Sequence, residues 1–373
     1  MLFFELIQVA IGRRRQLSMV PSDSEWRHLY QLAEQHSLVG ICYEGLKRLP
    51  QEQCPAEETL IDWIWQSQRI VEQSTHIARR SAEICQRLEK DGFDVCLLKG
   101  EGNALLYGEL GPCRQSGDAD IWILPHDRQR QHPKRRVIEY VRRQFAHTRL
   151  RFHHIDYPVF DDAEVELHFV PIYLNNPRLN HRLNVWYQEQ LPEQLRHRVM
   201  IAGQEVSVPT LRFNLLYHLL HIYKHLFEEG IGLRQMMDYY FVLQQANNSD
   251  AGILSETRRM LTSLKLETLA GAVMYVLQEV FGLTVSEMLC PVRKREGIAL
   301  LSEMMQSGNF GQYDTRYVKE AQQGADARSQ MHRYWRKTKR NLILALDYPH
   351  EGLWEPLFRL YHFFWRALKL WRI

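Results

Sequence analysis

"LLKGEGNALLYGELGPCRQSGDADIWI", residues 97–123, joins an apolar run that stops at a glycine to a second apolar run opened by two aspartates one residue apart. In an extended chain residues i and i+2 point to the same side. A strand starting near Asp118 therefore presents Asp118 and Asp120 together and turns Ala119 away. Two close carboxylates repel unless positive charge lies between them. A hard divalent cation, which takes oxygen ligands and keeps part of its water shell, is a natural filling. Upstream, Gly100 allows close approach to the backbone, and the amides that open a helix point at an anion. Taken singly these are ordinary turn residues, so their order and spacing carry the argument.

Working outward, the hydrophobic period alternates. "FDVCLLKG" (93–100) reads as a strand, "NALLYGEL" (103–110) as a helix, "DADIWIL" (118–124) as a strand and "RRVIEYVRRQF" (135–145) as a helix. Then "RFHHIDYPVF" (151–160) and "AEVELHFVP" (163–171) read as two strands, paired as a hairpin across the turn-prone Asp161 and Asp162. Glu166 and His168 share one face of the second, with Leu167 and Phe169 on the other. If that strand lies beside the one carrying the aspartates, Glu166 is a third carboxylate. Three carboxylates can hold a metal pair about 3.5–4 Å apart, the spacing used for in-line phosphoryl displacement. Lys99 and Arg114 add charge neutralisation, and His168 either orients a carboxylate or packs as a structural histidine.

Both flanks are helical in pattern. "SDSEWRHLYQLAEQHSLVGICYEGLKRL" (22–49) opens on a Ser or Asp cap, and a longer helix runs from about Glu57 to Gly92, where glycine suits the closing left-handed conformation. From Leu211 onward helical spacing returns, as in "RFNLLYHLLHIYKHLF" (212–227) and "LRQMMDYYFVLQQA" (233–246). The expected layout is a helical region over 1–90, an α/β core with a mixed sheet over 91–175, and an all-helical region over 176–373. His218, His221 and His225 fall on one helix face, but the HxxxH pair lacks the internal glutamate of zinc peptidases. That face supplies Lys224, His225 and Arg234 as candidate phosphate or acceptor contacts, with Asp238 as a partner for Arg234.

Composition sets the outer bounds. The 373 residues are 45% hydrophobic and 24% charged, enough apolar content for a sizeable core. A net charge of +3 is too small for a dedicated long nucleic-acid binder. Six cysteines without a CxxC pair fit a reducing, cytoplasmic setting, and residue 1 reads as the start of the folded protein. The closing "LWEPLFRLYHFFWRALKLWRI" (353–373) is apolar on most sides, with Arg359, Arg366, Lys369 and Arg372 near one face. Docking on the domain is expected, and peripheral membrane contact is the alternative.

The stretches "LLKGEGNALLY", "RQSGDADIWI", "VELHFVP", "HLLHIYKHLFEEGIGLRQMMDYYFVL", "GNFGQYD" and "YPHEGLWEPLFRLYH" resemble the nucleotidyltransferase superfamily that shares the DNA polymerase β fold, and within it a bacterial group of nucleotidyltransferase-like proteins. The resemblance covers most of the chain from about residue 90. It implies a Mg2+- or Mn2+-dependent enzyme that moves a nucleoside monophosphate from a nucleoside triphosphate to a hydroxyl on a small molecule, a protein or an RNA end. Asp118, Asp120 and Glu166 are the implied metal ligands, with Glu166 as base. The glycine motif falls at Gly100; Lys99, Asn103, Arg114, Lys224 and Arg234 are the candidate nucleotide contacts read from the residues themselves, with His168, His225 and Asp238 as candidate supports. Two positions depart from the family pattern: Gly-Ser after the first strand is Gly100-Glu101, and the third acid is Glu rather than Asp. Asn103 or Lys99 then takes the serine's place and Glu101 points away. The alternative is a catalytically degenerate nucleotide-binding or scaffold protein, membrane-peripheral in surface-polysaccharide assembly.

Overall fold

The computed structural model describes residues 1–127, 132–228, 230–313 and 327–368. Its centre is a four-stranded mixed sheet of β1 (Phe93–Leu97), β2 (Ala119–Pro125), β3 (His154–Asp156) and β4 (Val165–His168), in the spatial order β1-β2-β4-β3. β2 runs parallel to β4 and antiparallel to β1, and β3 and β4 run antiparallel. The expected adjacency of the aspartate strand and the Glu166 strand is therefore present.

Strand alternation divides the sheet into two faces. Val95, Leu97, Ile121, Ile123, Ile155 and Leu167 bury against two helices, α4 (Glu57–Lys90) and α6 (Pro133–Gln144), through Ile84, Leu88, Val137 and Val141. Cys96 and Trp122 point the other way, into a second core shared with the later helices. Trp122 stacks on Phe213 with ring centroids 5.9 Å apart. Asp120 and His168 stand on this second face, beyond the aromatic packing, and so end up in a cavity wall rather than at the surface.

The N-terminal part is α1 (Leu2–Ala10), α2 (Asp23–Gln35), α3 (Val39–Leu46) and α4. Ser22 and Glu25 form a reciprocal capping box at the start of α2. Ser37, at φ 56°, breaks the run over 22–49 that the spacing presents as one helix. The segment "NALLYGEL" also departs from a regular helix. It becomes α5 (Glu101–Ala104) followed by a 3-10 run, Leu105–Cys113, kinked at Gly108. Pro112 has no amide to donate, and a side chain at Gly111 would place Cβ 2.6 Å from the Ala104 carbonyl oxygen, so an α-helix does not propagate.

The C-terminal part holds α7 (Pro177–Arg196), α8 (Leu211–Glu228), α9 (Leu233–Asn247), α10 (Ala251–Leu264), α11 (Glu267–Phe281), α12 (Lys294–Ser307), α13 (Ala327–Leu344), α14 (Pro349–Gly352) and α15 (Glu355–Ala367). It is not all-helical. β5 (Arg198–Ile201) and β6 (Gln204–Ser207) form a hairpin, because Ala202 and Gly203 both take positive φ (48° and 78°), the signature of a tight two-residue turn. Ile201 and Val206 join the core between α4 and the sheet.

α15 docks by one face. Phe358 packs on Phe152 and Tyr173 at centroid distances of 5.1 and 4.8 Å, and Trp365 on Phe152 at 5.6 Å. Its outer face, Leu357, Leu360 and Phe364, is exposed. Lys369 and Arg372 lie outside the described residues. Among the described residues no helix is long and apolar enough to cross a membrane. All six cysteines are free thiols.

Candidate active site

Asp120 faces Glu166 in register across the parallel pair, and Glu166 faces Asp156 across the antiparallel pair. The next row holds Trp122, His168 and His154. Opposed residues share a sheet face, so register alone puts six polar or aromatic side chains on one face. Lys99, on the turn after β1, lies 2.8 Å from Asp120 Oδ2 and 4.0 Å from Asp118 Oδ2. Two carboxylates thus converge on one ammonium.

His168 donates from Nε2 to Asp120 Oδ1 at 2.8 Å and sits 3.3 Å from Glu166 Oε2. Burial pulls its imidazole down, but the bonds to Asp120 and Glu166 outweigh burial and raise its pKa to about 9. His168 is therefore a cation at neutral pH. Burial pushes the Asp120 carboxyl up, yet Lys99 and His168 prevail and hold it well below the usual carboxylate range. Burial also opposes the charge on Lys99, and Asp118, Asp120 and Glu166 overcome it, raising the ammonium above its ordinary value. Three carboxylates face two cations, which leaves the site with one formal negative charge in excess.

The turn itself places Gly100 at φ 74°, a conformation that excludes most side chains. Glu101 points away from the aspartates: it is buried, accepts a hydrogen bond from Ser81 on α4 at 3.4 Å, and burial raises its carboxyl. Asn103 contacts His218 Nε2 at 2.6 Å and accepts from Asn214 at 3.4 Å, both on α8. The histidine face of α8 therefore lies over the turn. His221 Nε2 reaches Lys99 Nζ at 3.3 Å and His225 Nε2 at 3.0 Å.

These groups open onto a cavity of about 530 Å³ whose other wall comes from α8 and the C-terminal helices. Asp118, Asp120, Glu166, His168, Lys99, Lys224 and His225 all line it. Lys224 Nζ is 2.7 Å from Glu228 Oε1 and 3.2 Å from the centre of the Tyr173 ring, so its charge is already partly engaged. Arg114 and Asp238 are elsewhere. Nε and Nη2 of Arg114 donate to the two oxygens of Asp238 at 2.7 and 2.9 Å, with Tyr107 as a third donor at 2.6 Å. This buried fork ties the 3-10 run to α9. Asp238 is thus hydrogen-bonded to Arg114, while Arg234 donates to the Gln115 carbonyl at 2.6 Å. Arg114, Arg234, Asn103 and Asp238 do not reach the cavity wall.

Several wall residues are outside the candidate set read from sequence: His153, His154, Tyr173, Phe358 and His362, together with Arg359, which the sequence placed only on the basic face of the last helix. Asp156 also stands beside the site, 3.5 Å from His154. One signal was present: His154 and Asp156 repeat, on β3, the i, i+2 spacing of Asp118 and Asp120. The contribution of α15 had none, since its contact with β3 spans about two hundred residues of sequence.

A strand pair that carries opposed carboxylates stands here beside a lysine-bearing glycine turn. Residues 22–282 match the family of uncharacterised nucleotidyltransferases, and the chain belongs to that family. Comparison with curated proteins returns no match. Among solved structures, an antigenic nucleotidyltransferase-like protein from Paracoccidioides brasiliensis is 16% identical, with 60% of this chain and 95% of that chain covered, at a TM-score of 0.37. A likeness that distant carries no argument about this site.

Proposed function

We propose that the protein transfers a nucleoside monophosphate from a nucleoside triphosphate to a hydroxyl acceptor at Asp118, Asp120 and Glu166. The observation that carries the reading is the register of Asp120 with Glu166 on adjacent strands, facing a cavity large enough for a nucleotide. Asp120 and Glu166 stand close enough to share a hard divalent ion, and Asp118, which lines the same cavity, offers a further oxygen ligand. Asp118, Asp120 and Glu166 would hold Mg2+ or Mn2+, which when bound neutralises charge on the phosphates.

The chain's own residues account for the rest. Glu166 takes the proton of the acceptor hydroxyl. The acceptor oxygen then bonds to the α-phosphorus as the bond from that phosphorus to the α,β-bridging oxygen breaks, and pyrophosphate departs. His168 holds Asp120 in place through its 2.8 Å contact with Oδ1. Lys99 balances the aspartates and meets incoming phosphate charge.

Pyrophosphate release from the four ribonucleoside triphosphates with mixed small-molecule, protein and RNA acceptors tests this. Asp118→Ala/Asp120→Ala is expected to abolish release while far-ultraviolet circular dichroism stays unchanged; undiminished release contradicts the mechanism. Metal-dependent nucleotide binding without turnover would instead support the degenerate-fold alternative. The membrane alternative draws on the exposed outer face of α15. Co-sedimentation with anionic vesicles, lost when residues 357–373 are removed, tests it.

A further inference from the structure

Beside the Asp118/Asp120 pair, three imidazoles meet. His154 and His168 are opposed across β3 and β4, and His153, in the bend before β3, turns into the same cavity. One ring nitrogen of each lies within 4.8 Å of the other two. His154 Nδ1 is 3.3 Å from His153 Nε2 and 3.3 Å from Glu166 Oε2, and Glu166 Oε2 is 3.3 Å from His168 Nε2. We propose that His153, His154 and His168 form a binding site for a zinc-type divalent transition-metal ion, with Glu166 beside it. The site goes beyond the nucleotidyl-transfer reading and borders it at Glu166 and His168, both of which touch the transfer carboxylates.

The spacing is the first argument. A tetrahedral ion with bonds of about 2.0–2.1 Å holds its ligands about 3.3–3.4 Å apart; His153 Nε2 and His154 Nδ1 already stand 3.3 Å apart, and a nitrogen of each of the three histidines lies within 4.8 Å of the others. Donor chemistry is the second. Imidazole nitrogen suits zinc and its first-row neighbours, whereas magnesium prefers oxygen alone.

The third is the Nε2 of His154, on a side chain almost fully buried at 7% exposure. It has no hydrogen-bond partner among the described residues and lies 3.5 Å from Asp156 Oδ1. With the Nδ1 lone pair given to a metal, Nε2 carries the proton and Asp156 stands where the carboxylate that supports a ligating histidine stands. His168 Nε2 also contacts Asp120 Oδ1 at 2.8 Å, so metal binding expels the His168 Nε2 proton to solvent. The bound ion would pin β3 to β4 and fix Glu166 at the edge of the nucleotide cavity.

Cobalt(II), titrated into the chelator-treated full-length protein without nucleotide or magnesium, supplies the probe. The expected result is a visible absorption band typical of low-coordinate cobalt, saturating at one ion per chain, abolished by one equivalent of Zn2+ and unaffected by millimolar Mg2+. His154→Ala should lose the band, Asp118→Ala should keep it, and Asp156→Asn should weaken binding about 10–100-fold. If His154→Ala misfolds, His154→Cys decides: a thiolate ligand adds a sulfur-to-cobalt charge-transfer band in the near ultraviolet. No visible band in the wild type, or identical spectra in His153→Ala and His154→Cys, overturns the site. Cobalt binding in a protein that binds no nucleotide would sink the transfer reading and leave this one standing, and the reverse result would do the opposite.

Discussion

At the scale of single residues, burial decides which charges are free to act. The Arg114–Asp238 fork is buried and fully bonded, so it holds structure together rather than meeting a ligand. Removing one partner strands the other charge in a low dielectric, at a typical cost of about 3–5 kcal/mol. Asp238→Ala should therefore lower the urea midpoint sharply, and the double variant Arg114→Met/Asp238→Leu should recover most of the loss. Two buried histidines predict the acid behaviour. Burial pushes His36 and His218 down to about 4. Both are neutral in the fold, yet protonated in the unfolded chain below about pH 6.5. The unfolded state thus binds more protons between about pH 6.5 and 4, and stability falls as pH drops through that window, by on the order of 2 kcal/mol for each group. Melting curves from pH 7.5 to 4.5 should show a shallower decline in His36→Leu than in the wild type; equal slopes would remove His36 from the account.

At the scale of elements, close backbone approach orders the parts around the site. Gly40 on α3 lies against the 3-10 run so tightly that a Cβ there would sit 2.5 Å from the Cys113 carbonyl oxygen. Gly40→Ala has to displace that run, at a cost of about 1–3 kcal/mol, and should shift the denaturation midpoint without altering the secondary-structure spectrum. Elements with a clear period were legible from sequence: α4, β1, β2, α6 and the β3–β4 pair all overlap the stretches whose spacing announces them, to within two residues at either end of β2 and at the start of α6. Elements decided by single dihedrals were not. "SDSEWRHLYQLAEQHSLVGICYEGLKRL" carries helical spacing throughout, and only the left-handed Ser37 divides it. The β5–β6 hairpin turns on Ala202-Gly203, a weaker turn signal than Asn-Gly, inside a region otherwise dominated by helical spacing.

At the scale of the whole molecule, the cavity is assembled from three distant parts of the chain: the sheet, α8 and the C-terminal helices. Local pattern identified the acids because i, i+2 spacing on a strand is itself geometry. The meeting of Asp120 with Glu166 required one further condition, adjacency of β2 and β4, which the sheet order supplies. The positions of Phe358, Arg359 and His362 over the same cavity depend on packing between elements far apart in sequence, which no local period encodes. The central claim is that Asp118 and Asp120 bind a nucleoside triphosphate together with a divalent metal. Calorimetric titration of the purified protein with each of the four ribonucleoside triphosphates, with and without Mg2+, in parallel with Asp118→Ala/Asp120→Ala, tests it most directly. Magnesium-dependent binding of at least one nucleotide, lost in the variant, is the predicted result; binding that persists undiminished in the variant, or none in the wild type with or without acceptor present, would contradict the account.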